Sequence, residues 1–219
     1  MASVRAASEA GVAPEARPRK RVGRAPGRAA IRVSAETFWW LCCENRDLRL
    51  ERTAAGRLIA MTPAGTDTGG RNLKLSGRLY NWSEATGLGE AFDSSTGFTL
   101  PNGAVRAPDA SWVSHARLQL IPPADRARFA HVCPDFVAEL RSPSDRLKTV
   151  RRKMAEYIAQ GARLGWLIDP TRGVVEVYRP GREPEVLERP ATLSGEDVLP
   201  GFVLELRGIL GDEPARGEG

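Results

Sequence analysis

The stretch CPDFVAELRSPSD, residues 133–145, places one carboxylate inside an apolar run. Phe136, Val137, Ala138 and Leu140 read as a buried β-strand over residues 136–141, bounded by Pro and Ser-Pro. Glu139 sits in the middle of it. A carboxylate enters a core only when something pairs with it or coordinates it. The strand therefore raises a question of chemistry as well as of fold.

The segments on either side supply the rest of the architecture. Arg146 to Gln160 reads as a helix, with Leu147, Val150, Met154, Tyr157 and Ile158 at helical spacing and Gly161 closing it. Leu164–Ile168 and Val174–Tyr178 are apolar strands joined by the turn Asp169-Pro170-Thr171-Arg172-Gly173. Glu185–Glu188 and Val203–Leu206 are candidate edge strands. Toward the N-terminus, Gly89–Leu100 and Val105–Ser114 are strands around the turn Pro101-Asn102-Gly103. Ala116–Ala130 is a polar connection with some helix. Leu73, Leu75, Leu79, Tyr80 and Trp82 mark an amphipathic helix over residues 71–85, stopped by Gly87 and preceded by a loop over Pro63–Gly70. Arg49–Glu51 and Arg57–Met61 form a hairpin around Ala55-Gly56. Ser34 caps a first helix that runs to about Glu44. Helix, mixed sheet, helix and strands again indicate an α+β or α/β sandwich. There is no internal repeat, no P-loop and no G-x-G-x-x-G following a strand.

With 219 residues, 42% hydrophobic and 27% charged, the chain has the composition of an ordinary globular protein and room for one sizeable domain. No apolar run reaches the ~18–20 residues of a membrane span, and no secretory signal is present, so a cytoplasmic location is expected. The net charge of +5 resides in residues 1–30, which carry seven basic and two acidic side chains. That tail is rich in Ala, Pro, Gly and Arg, cannot build a core, and is expected to be disordered. It is either a solvated extension or a contact for nucleic-acid phosphates. The expected division is a tail over 1–30, a domain over 31–210 and a flexible tail over 211–219. Cys42, Cys43 and Cys133, without C-x-x-C spacing and with only His115 and His131, argue against a zinc site and exclude a disulfide framework.

Spacing selects the partner of Glu139. Asp135 lies on the same strand, roughly 13 Å away at ~3.3 Å per residue, too far to share a metal ion. Asp109, after Pro108 in RAPDASWV, comes close if its strand pairs beside residues 136–141, at the ~4.8 Å interstrand distance. Two such carboxylates raise each other's pKa unless a cation lies between them, and a hard ion, Mg²⁺ or Mn²⁺, suits that role. Lys153 falls at the edge of the buried helical stripe, with Arg151, Arg152 and Glu156 further out. It can bury its stem and aim its ammonium at the carboxylates, to orient or deprotonate a water or to stabilise a phosphorane-like transition state. Each residue also has a plainer role open to it. Lys153 could snorkel at the surface, Glu139 could pair with Arg141 across a sheet edge, and Asp109 could cap a turn.

The order Pro108-Asp109, then about thirty residues, Glu139-x-x-Ser142-Pro143, Lys153-x-x-x-Tyr157, Gly161 and Trp166-Leu167-Ile168-Asp169-Pro170 resembles the Uma-two family of the PD-(D/E)XK nuclease superfamily. FDSSTGFTLPNG (92–103) is similar to the family's central hairpin, and LSGEDVLPGFVLEL (193–206) to its C-terminal signature. The likeness runs from about Ser34 to Leu210. It implies a restriction-endonuclease-like α/β core, a central mixed sheet flanked by helices. It also implies a Mg²⁺- or Mn²⁺-dependent endonuclease in which Asp109, Glu139 and the backbone carbonyl of Leu140 hold metal while Lys153 assists a water. The chain departs from the superfamily at Arg141, which stands where Lys is usual and is a poor base; Lys153 takes the vacant role. Arg141, which can bind phosphate, Asn72 and Ser142 are accessory candidates, and Arg146, Lys148, Arg151 and Arg152 are candidates for DNA contact. The resemblance further implies a homodimer acting on nucleic acid, with DNA expected and RNA open. The alternative is a catalytically inactive nucleic-acid-binding or protein-interaction module, which loss of the usual lysine would favour.

Overall fold

The computed structural model describes residues 30–211. The basic N-terminal tail, apart from Ala30, and the C-terminal tail beyond Gly211 lie outside the described residues. In chain order the elements are α1 (Ala35–Glu44), β1 (Arg49–Arg52), β2 (Leu58–Met61), α2 (Thr66–Thr86), β3 (Gly89–Asp93), β4 (Phe98–Thr99), β5 (Val105–Arg106) and β6 (Ala110–Ser114). There follow α3 (His115–Leu118), α4 (Pro123–Arg126), β7 (Phe136–Leu140), α5 (Leu147–Ala159), β8 (Leu164–Asp169), β9 (Val174–Tyr178), β10 (Glu185–Glu188), β11 (Thr192–Ser194) and β12 (Val203–Glu205).

The apolar strand around Glu139 becomes β7, near the centre of a six-stranded sheet ordered β10-β9-β8-β7-β6-β3. Within this sheet β7 and β8 run parallel, and the other neighbouring pairs are antiparallel. Parallel neighbours require a crossover, and α5 provides it. A helix joining two adjacent parallel strands must lie across one face of them. Side chains alternate along β7, so Phe136, Ala138 and Leu140 face one side while Val137 and Glu139 face α5.

Two cores result. On one face Leu75 and Leu79 of α2 pack with Phe136, Ala138, Trp166 and Ile168 of the sheet, together with Leu193, Leu199, Phe202 and Leu204 from the C-terminal strands. On the other, Met154 and Tyr157 of α5 pack with Val137, Leu167 and Tyr178, and with Phe98, Leu100 and Ala104 from the central hairpin. The α5 stripe is set down closely: a Cβ at Gly165 would meet Cε of Met154 at 2.6 Å. A second sheet, β2-β1-β5-β4, carries the N-terminal hairpin. No helix among the described residues is long and apolar enough to cross a membrane.

The structure departs from the sequence-based elements in three places. Helix α2 begins at Thr66, inside the segment read as a loop, and carries Gly69 and Gly70 within it. Two adjacent glycines signal a break locally, but the helix is held by Leu75 and Leu79 packing further along. The two long central strands are each split, β3 from β4 and β5 from β6, and the halves enter different sheets. Residues 203–205 do not extend the main sheet; β12 pairs with β11, a strand not expected from the sequence.

Trp166 is wholly buried, with its ring 4.7 Å from that of Phe136 and 6.1 Å from that of Phe202. It joins the sheet to the C-terminal layer. Trp166→Ala is expected to lower stability by about 3–5 kcal/mol, read as a reduced urea midpoint.

Candidate active site

Asp109 reaches Glu139 through strand register. Strands β6 and β7 pair with Ala110 opposite Ala138, so one step further Asp109 stands opposite Glu139. The pairing on which the sequence argument depended is present. Pro108-Asp109 is also where the chain leaves the small sheet for the large one, β5 pairing with β1 and β6 with β7. At that break Asp109 substitutes a side chain for a ladder bond. Its Oδ2 accepts the Leu140 N–H at 2.8 Å, and its Oδ1 accepts from Nδ2 of Asn72 at 3.3 Å. Asn72 lies on α2, so this one carboxylate is held from two elements.

Lys153, on α5, is the hub. Its Nζ lies 2.7 Å from Oε1 of Glu139, 2.7 Å from Oε1 of Glu51 and 3.3 Å from the carbonyl of Ala107. An ammonium has three donors, and three acceptors meet it. Tyr157, one turn further along α5, donates its hydroxyl to the same Glu139 oxygen at 3.1 Å. Glu51, from β1, also accepts the Ala107 N–H at 3.0 Å and pairs through Oε2 with Arg106 at 3.0 Å. Arg106 in turn contacts Glu156 at 2.6 Å. Glu156, expected to point outward with Arg151 and Arg152, instead turns in toward this network.

Four carboxylates (Glu51, Asp109, Glu139, Glu156) thus surround two cations, Arg106 and Lys153. Burial raises the Glu139 carboxyl to about 8, with Asp109 and Glu51 adding to the effect and Lys153 opposing it. Burial likewise raises Asp109, against the Leu140 N–H and Lys153. Glu51 is different: burial opposes its charge, but Lys153 and Arg106 outweigh it and hold its pKa down. Burial works against the Lys153 charge too, yet Glu139 and Glu51 prevail and keep it an ammonium. The cluster is short of positive charge, and Glu139 bears the deficit.

Residues 35–207 match the family described as "Uma2: Putative restriction endonuclease". The chain belongs to the Uma2 family. A crystal structure of a "putative nuclease belonging to DUF820" from Anabaena variabilis is similar in fold, with a TM-score of 0.62 and 20% identity, covering 74% of this chain and 89% of the other. No curated protein matches the chain.

Other residues singled out in the sequence are placed as follows in this Uma2 chain. Arg141, at the end of β7, is committed elsewhere: its guanidinium pairs with Asp169 at 2.8 Å and bonds the Asp145 carbonyl. Ser142 forms a turn, its Oγ 2.7 Å from that of Ser144. Leu140 gives its N–H to Asp109. Arg146, Lys148 and Arg152 are exposed on and beside α5, whereas Arg151 is bonded to Glu176. Asp135 is buried and serves structure, accepting from the Ser114 N–H and from Arg117.

The residue that sequence reasoning missed is Glu51. In RLER it looks like one charge among three on a short hairpin, and only long-range packing makes it 3% exposed.

A hard divalent cation fits these residues in two respects. The buried Oδ1 of Asn72, beside Asp109, meets no hydrogen-bond donor among the described residues, and an unsatisfied buried carbonyl oxygen is costly unless something accepts it as a ligand. The excess of carboxylates over cations is of the sign a cation corrects. Among the described residues no three His, Cys, Asp or Glu side chains are grouped to cage a metal. Mg²⁺ does not need such a cage, since it takes one or two carboxylates and keeps several waters.

The raised Glu139 has a consequence for metal-free protein. Where the folded chain keeps this proton and the unfolded chain, at an ordinary 4.5, releases it, rising pH favours unfolding. The stabilisation is complete below about 4.5 and is lost as pH rises through about 8. In the presence of chelator, the wild-type Tm is expected to fall across that window more steeply than the Tm of Glu139→Gln. Parallel slopes would contradict the assignment.

Proposed function

We propose that the chain is a Mg²⁺- or Mn²⁺-dependent endonuclease that hydrolyses phosphodiester bonds in DNA. The observation that carries this reading is the Lys153 ammonium set 2.7 Å from Glu139, on the strand register that brings up Asp109. Membership of the Uma2 family supports the same class of chemistry. Asp109 and Glu139 would hold the metal, with the Asn72 amide oxygen and the Leu140 carbonyl as further oxygen donors. A bound Mg²⁺ supplies Lewis-acid stabilisation to phosphoryl oxygens.

The protein's own groups divide the remaining work. Hydrolysis joins a water oxygen to phosphorus, breaks one ester P–O bond and leaves a proton on the departing oxygen. Lys153 stays an ammonium beside Glu51, and the donor that Glu139 would free on holding a metal suits it to hold the water and to meet charge developing on phosphate, and not to take a proton. Tyr157 fixes one oxygen of Glu139, so that the carboxylate presents a defined face. Arg146, Lys148 and Arg152 offer exposed positive charge for the nucleic-acid backbone next to the site.

Calorimetry with Mg²⁺ and plasmid nicking, on the same samples, test the proposal. Asp109→Asn and Glu139→Gln are each expected to lose both metal binding and nicking. Lys153→Met is expected to bind Mg²⁺ at least as tightly as wild type, because the ammonium no longer competes for Glu139, and to nick about 10²–10³-fold more slowly. Wild type that binds Mg²⁺ but cuts neither DNA nor RNA would instead support an inactive binding module. Absence of Mg²⁺ and Mn²⁺ binding would refute the metal site.

A further inference from the structure

Glu139, Asp109 and Lys153 carry the proposed chemistry, yet a second buried carboxylate, from a different sheet, touches the same ammonium. Glu51 lies on β1, which pairs with β2 and β5 and not with the main sheet. Its Oε1 holds Lys153 at 2.7 Å, as close as Glu139 does, and the side chain is almost fully enclosed. Burying a third carboxylate beside Asp109 and Glu139 is destabilising unless its partners compensate. Arg106 and the Ala107 N–H already supply a cation and a donor.

The need for the charge emerges when Glu139 changes partners. A carboxylate oxygen given to a metal is a weaker partner for an ammonium, and a lysine losing its only counter-charge beside a divalent cation would be driven out of the site. Two like charges a few ångströms apart repel strongly where water is excluded. We propose that Glu51 is a positioning residue that takes over the Lys153 ammonium when Glu139 is committed to a metal ion, so that the lysine stays in place. This rests on the metal-dependent reading above. The geometry has a second part: Ala107 gives its N–H to Glu51 and its carbonyl to Lys153. The same pair therefore also fixes the segment that carries Asp109, two residues on.

Positioning differs from plain background charge by its dependence on Lys153. Mg²⁺ binding is measured by calorimetry on wild type, Glu51→Gln, Lys153→Met and the double variant, with urea midpoints checking that each is folded. If Glu51 holds the displaced lysine, Glu51→Gln weakens Mg²⁺ binding at least fivefold more with Lys153 present than in the Lys153→Met background. Equal weakening in both backgrounds overturns the inference, because a fixed background charge acts the same whether or not the lysine is there. Loss of all Mg²⁺ binding in Glu51→Gln also overturns it, by making Glu51 a ligand. In nicking assays, Glu51→Gln is expected to lower kcat at least tenfold with KM within threefold, and to cost less than twofold further once Lys153 is gone. Wild type that binds no Mg²⁺ overturns the metal reading and this inference together; a wild type that binds Mg²⁺ with no interaction between Glu51 and Lys153 overturns the inference alone.

Discussion

The Lys153 ammonium, shared by Glu51 and Glu139, is the contact on which the rest of the site depends. It joins three pieces of structure: β7 at the centre of the main sheet, α5 crossing above it, and β1 of the second sheet. Each charge is expensive to bury alone, and each is tolerable only because the others are there. The arrangement is therefore cooperative in a way an apolar contact is not. Removing one member leaves an unpaired charge and not merely a void.

Position follows from packing one level down. Helix α5 lies over β7 because it connects two parallel neighbours, and its distance from the sheet is set where Met154 approaches Gly165. Met154 and Tyr157 are buried against that face, and Lys153, adjacent to Met154, is carried to the rim where Glu139 stands. Hydrophobic burial, which has no directional preference of its own, thus sets the orientation of a polar cluster that does.

Much of this was legible in the sequence because local pattern and chemistry disagreed at identifiable places. Glu139 was conspicuous as a carboxylate in an apolar strand. Asp109 followed from strand spacing, and Lys153 from helical phase beside Val150 and Tyr157. The family likeness tied these residues together in order. Glu51 was not legible, since a charged residue in a charged hairpin conflicts with nothing around it, and its enclosure arises from Arg106, Ala107 and Lys153 far along the chain. The inward turn of Glu156 was missed for the same reason, because its partner Arg106 belongs to another element. The early start of α2 was hidden by Gly69 and Gly70, whose local preference is overridden by packing elsewhere in the helix.

The spread of the cluster along the chain also bears on how the protein is made. Its groups come from β1, the segment before β6, β7 and α5, so contacts that complete it join the beginning of the domain to a helix well past its middle. Such contacts form late, after intervening loops have closed. During synthesis Glu51, Asp109 and Glu139 leave the ribosome before Lys153, and a chain interrupted ahead of α5 has those three acids without the ammonium that organises them. The proposed activity would then arise only after α5 has been made, and shorter products would lack it.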